Sequence, residues 1–221
     1  AEYHAAELAH HFAESQTSTG ITKLARYSLV AGERALAAHA YEDALTYFER
    51  GLIARDIGLS GTEAAPDEEA ADLLFGLAQA QSATVGYIRE AFATLSRAFD
   101  YYAEAGNIVQ AVAAAEFPIA PPLNPMPGLA QLISRALSLV PADSHEAGRL
   151  LSRYGGVLAG AEADYEGAQQ ALDQAATIAR RVGDVRLETR TLAYACAASA
   201  HHLHWQESVN NGLRAIELAA G

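Results

Sequence analysis

One cysteine, Cys196, stands among 221 residues, which excludes an intrachain disulfide and fits a reducing, cytoplasmic setting. Lysine also occurs once, at Lys23, so arginine supplies nearly all the positive charge. With 15 basic against 27 acidic residues the formal net charge is −12, which argues against nucleic acid as the direct partner, because phosphate binding needs a basic face. Long runs of Val, Ile and Thr are missing, which argues against a sheet. The longest stretch without charge, residues 117–134, holds five prolines and so makes no membrane helix. No secretory leader pattern is visible. A G-x-x-x-x-G-K-[ST] phosphate loop and a G-x-S-x-G elbow are both absent, so neither P-loop nucleotide chemistry nor that serine-hydrolase arrangement is expected of these residues.

What is abundant is alanine, the strongest helix former, within a 51% apolar composition. The chain reads as all-α. In YEDALTYFERGL (41–52), Tyr41, Ala44, Leu45, Phe48 and Leu52 recur at steps of three and four, an amphipathic helix face with Gly51 admitting a neighbouring backbone. LARYSLVAGERALAA (24–38) is a second helix with Gly32 mid-face, and a break at His39–Ala40 folds the two into a hairpin. Related segments return at 89–102, 128–141, 164–179 and 205–219, and their last small residue falls at Gly51, Ala98, Ala136, Ala175 and Ala215. The steps are 47, 38, 39 and 40 residues, so the unit is a helix pair of roughly 40 residues and the expected architecture is an α-α superhelical solenoid of about five pairs. The pairs fall at about 20–57, 68–105, 107–141, 144–182 and 185–220, behind a leading helix at 1–16, as a single array over 1–221. A loop at 57–69 separates the first two pairs, with Ser60 or Asp67 able to cap the next helix. The proline-rich stretch 118–128 ends the first helix of the third pair near Phe117 and serves as a stiff linker or as a loop across the groove.

These segments resemble the tetratricopeptide repeat, a family of stacked helix pairs with a small residue in the first helix and an aromatic–acidic–acidic–Ala opening in the second. The first pair (Gly32, Tyr41, Ala44, Phe48, Gly51) and the fourth (Gly156, Tyr165, Ala168, Leu172, Ala175) carry the resemblance best. The fifth has Trp205 and Ala215 but Ser208 at a small position, and the third is the most degenerate. Residues 7–52 further resemble the repeat region of large bacterial signal-transduction ATPases, in which a P-loop module precedes such repeats and a LuxR-type DNA-binding or a cyclase domain is also present. The chain begins without Met and both ends fall in helical pattern, so it is expected to be one piece of such a regulator.

The resemblance implies a concave face, lined by the first helices, that captures a protein, a peptide or a small inducer. Projected by repeat phase, Arg26 and Glu33, then Phe75 and Gln79, then Arg153, and finally Arg190 and His201 face it. A groove bearing Arg26, Arg153 and Arg190 suits a carboxylate-bearing ligand. No catalytic residue, metal or cofactor is implied. His201, His204 and Glu207 share a helix face, yet a metal site needs more converging ligands, and histidine is common at helix C-termini. His10 and His11, being adjacent, face different ways. Cys196 fits a small packing position. Tyr41, Phe48, Tyr165 and Trp205 are expected in the core. Exposed apolar residues of the terminal helix, Ile216 and Leu218, offer a route to a homodimer. A free-standing scaffold that assembles other proteins is the alternative to a regulator fragment.

Overall fold

The computed structural model describes His4, Glu7, Leu8 and residues 18–119, 126–160 and 163–220. Among these there are ten helices of nine residues or more and no strand, so the chain is all-α. None of those helices is long and apolar enough to cross a membrane. The leading helix expected at 1–16, with His10 and His11, lies largely outside the described residues, as do residues 120–125 of the proline-rich stretch.

The helices fall into two compact units, Ala1–Ala120 and Pro121–Gly221. Unit 1 contains α1 (Ser18–Ala37), α2 (Tyr41–Ala54), α3 (Glu68–Ala83), α4 (Ile88–Glu104) and α5 (Ile108–Glu116). Each packs on its neighbour in sequence, and α1 also touches α3. Unit 2 contains α6 (Leu129–Leu137), α7 (His145–Gly160), α8 (Tyr165–Val182), α9 (Val185–His201) and α10 (Trp205–Ala220). The same order of packing recurs there, with α7 touching α9. In each unit, then, two first helices, α1 and α3 in unit 1 and α7 and α9 in unit 2, meet one another as well as their own partners.

Local chemistry sets the helix ends. Asp67, Asn107, Asp164 and Asp184 each accept a hydrogen bond from the backbone N–H three residues on, which caps α3, α5, α8 and α9. Gly183 stops α8 in a left-handed conformation, φ 72°, which glycine adopts at little cost. Non-glycine residues take that conformation in the turns α1–α2 (His39, φ 59°) and α9–α10 (Leu203, φ 65°). Helix α5 ends at Glu116 because Pro118 disfavours helical geometry in the residue before it, Phe117.

The 57–67 loop is held from below by Arg97, which is 5% exposed. Its guanidinium donates to the Gly58 carbonyl at 2.7 Å and the Glu63 carbonyl at 2.8 Å. Arg55, at the end of α2, donates to both oxygens of the Asp67 cap and to Glu69 at 3.1 Å, tying the end of α2 to the start of α3.

The unit 1 core is built around one ring. Phe48 of α2 is fully buried, and its edge lies against Gly32 of α1 and Gly76 of α3. A Cβ at Gly32 would stand 2.6 Å from the ring, and one at Gly76 would stand 2.3 Å from it. Burying such a side chain contributes about 1.5–3 kcal/mol. Gly51 plays the converse part, taking Leu73 of α3 against its bare backbone. In unit 2 Leu172 sits against Gly155, one residue earlier than the Gly156 expected from repeat phase; Gly156 instead receives the Tyr194 ring of α9. Ala98, Ala136 and Ala175 are fully buried, as small residues at a helix crossing must be.

One aromatic departs from the expectation. Trp205 is 61% exposed rather than buried. It opens α10, and with Val209, Leu213 and Ile216 it forms an apolar stripe that no described helix covers. Tyr41 and Tyr165 are only half-buried, and Leu218 likewise.

Candidate functional site

First helices line a hollow of about 230 Å³ in unit 1. Helix α1 contributes Glu33 and Leu36, three residues apart on one face. Helix α3 contributes Asp72, Phe75, Gly76 and Gln79, the i, i+3, i+4, i+7 face of a single helix. Gln110 closes it from α5.

Each polar side chain is placed by packing behind it. Asp72 is oriented by the buried Tyr102, whose hydroxyl donates to Asp72 Oδ1 at 2.6 Å. Burial, and then this bond to a carboxylate, hold the Tyr102 phenol protonated far above its ordinary range. Phe75 is braced edge-on by Tyr102, at 6.4 Å between centroids, and by Phe117, at 6.1 Å. Its ring is thereby fixed as a wall of the hollow. Glu33 is held above the ordinary carboxyl range, first by partial burial and then by the negative charge of Asp72. The hollow is therefore a place where anionic charge accumulates and no lining residue is cationic.

Three of the residues projected from the sequence, Glu33, Phe75 and Gln79, meet here. The arginines do not. Arg26 is exposed on α1 but does not line the hollow. Arg153 is 8% exposed, so it is packed into unit 2 and not offered to a ligand. Arg190 and His201 are exposed on α9, in unit 2. Of the three arginines only Arg26 lies in unit 1, where the hollow carries carboxylates and amides. Asp72, Leu36 and Gln110 went unrecognised in the sequence. Asp72 was legible, since it lies seven residues before Gln79 and so on the same face. Gln110 was not, because α5 has no aromatic–acidic signature to fix its phase.

Neither the family models nor the curated proteins compared with this chain match it.

The histidine run is built into unit 2 as a packing feature. His204 stacks on Tyr165 at 4.4 Å and lies 3.8 Å from Glu207, while the Tyr165 hydroxyl donates to Glu207 at 2.5 Å. His202 reaches the Ala159 carbonyl at 3.1 Å. Among the described residues, no three His, Cys, Asp or Glu side chains converge as metal ligands would. Cys196 is half-buried, with its sulfur 3.4 Å from Ser208 Oγ.

Proposed function

We propose that this chain is a non-enzymatic recognition module of tetratricopeptide-like build, and that the unit 1 hollow is where a partner's side chain seats. The carrying observation is that residues of three first helices, α1, α3 and α5, converge on one cavity with a braced aromatic wall. In-order packing within each unit, with α1 on α3 and α7 on α9, supports the helix-pair array and its extension into a superhelix. The reading includes a cytoplasmic setting and a place within a larger bacterial signalling or transcriptional regulator, where the array senses a protein, peptide or small inducer. A free-standing adaptor is the second form of the same role. Self-association through the exposed α10 stripe belongs to the reading as well.

The test is a plug. Gln79→Arg puts a long side chain into the hollow from a half-buried helical position. A large library of immobilised peptides is probed with the wild-type chain and with the plugged variant. Binders weakened tenfold or more by the plug support the module. No binder at all, or binders indifferent to the plug, refutes it. Finding an ATPase module and an effector domain in the parent reading frame would support the regulator form, and finding neither would leave the adaptor.

A further inference from the structure

We propose that the unit 1 hollow takes the guanidinium head of an arginine side chain, so that the partner is recognised by an arginine and not by a carboxylate. This rests on the hollow being a binding site at all, and specifies what it binds.

The hollow is small. A volume of about 230 Å³ lies below the range of roughly 300–1,000 Å³ in which whole small ligands bury themselves. It is equivalent to seven or eight waters at roughly 30 Å³ each, room for a planar head and part of its stem. The hollow therefore suits one side chain of a larger partner.

The lining presents acceptors from three directions: the Glu33 carboxylate from α1, Asp72 from α3, and the amide oxygens of Gln79 and Gln110. Asp72 spends one oxygen on Tyr102, and its other oxygen keeps lone pairs for a ligand. A guanidinium has five donors in one plane and no acceptor, the complement of such a set. The Phe75 ring, fixed by Tyr102 and Phe117, adds a surface on which a delocalised cation stacks. A carboxylate ligand would meet two like charges, and a neutral amide would leave both unmatched. Burial and mutual repulsion keep the Glu33 carboxyl above its ordinary range, so an arriving cation removes a penalty already present in the free protein. Binding should then release protons near the carboxyl range.

The experiment uses the whole chain, isotopically labelled, titrated by NMR with acetyl-Ala-Arg-Ala-amide and with its citrulline and glutamate counterparts. Citrulline keeps the shape of arginine and removes the charge. Saturable shifts of the Gln79 and Gln110 side-chain amides with the arginine peptide, at least tenfold weaker with citrulline and absent with glutamate, are expected. Glu33→Gln, on an exposed helical position, should weaken the arginine peptide several-fold without lowering the thermal midpoint, since it also removes the repulsion from Asp72. Asp72→Asn retains an acceptor for Tyr102 and should act likewise. Equal shifts from citrulline and arginine, or an unchanged arginine titration in Glu33→Gln, would overturn the assignment. If library binders carry no arginine yet are lost on Gln79→Arg, the charge assignment falls and the module stands. If nothing in the library binds, the module falls first.

Discussion

Replacing Gly76 by alanine is a change of one methyl group, and its sign depends on where the methyl goes. Alanine in a helix interior is favoured over glycine by about 1 kcal/mol. At Gly76 the new Cβ would stand 2.3 Å from two carbons of the Phe48 ring, against an ordinary contact of about 3.5–4 Å. The ring cannot yield in that plane, because Gly32 already holds its edge from α1. Overpacking of this kind costs about 1–3 kcal/mol, and a displacement above 1 Å belongs at the upper end. The net expectation is a loss of about 2 kcal/mol, or roughly 8–16 °C in the midpoint of a unit of this size. Gly160, which closes α7 with nothing within 4 Å of its Cβ, is the control: Gly160→Ala should be neutral or stabilising. Urea unfolding followed by circular dichroism measures both, and amide exchange assigns the first loss to unit 1. The mechanism itself is tested by a double-mutant cycle with Phe48→Leu, in which a coupling of about 1 kcal/mol or more is expected. Additivity within about 0.5 kcal/mol would refute the claim that the ring and the missing methyl compete for one space.

Arg97→Met should release the 57–67 loop by removing both hydrogen bonds to the Gly58 and Glu63 carbonyls; these two residues are exposed and their carbonyls can turn to water, so the loss is about 0.5–1.5 kcal/mol for each bond; fast amide exchange in that loop is the readout, and unchanged protection contradicts it. Asp67 has its carboxyl lowered chiefly by the Arg55 hydrogen bond, so its contribution is complete above the ordinary carboxylate range and is lost as pH falls through the depressed folded value. Asp67→Asn should therefore flatten the acid limb of a stability–pH curve, and an unaltered limb would count against the pairing. Trp205 is the one tryptophan and is largely exposed, so native fluorescence should be red-shifted and fully open to acrylamide; a blue-shifted, protected emission would restore it to the core.

Helix identity and pairing were legible in the residues because amphipathic spacing is a local property. Tyr41 to Leu52 and Tyr165 to Ala179 show their buried faces directly, and Asp67 its capping role. What was less legible depends on phase. Gly155 and Gly156 are both small, and only packing decides which one receives Leu172. Arg153 is a long polar residue whose sequence gives no hint of burial, since a charged head is usually solvated. Trp205 carries the same aromatic signature as Tyr41, but its fate depends on whether another helix lies over α10, which is not a local property. The hollow was half legible: Glu33, Phe75 and Gln79 were projected from the repeat, whereas the second carboxylate, Asp72, was not, and it is held by Tyr102 thirty residues away.

The close approach of two glycine backbones to Phe48 also has a consequence in time. An aromatic ring in a loose core turns over rapidly and its two edges look alike to a spectrometer. A ring clamped between α1 and α3 must wait until those helices part. Slow, resolved edge signals from Phe48 would make its turnover a clock for the breathing of the very helices that frame the hollow.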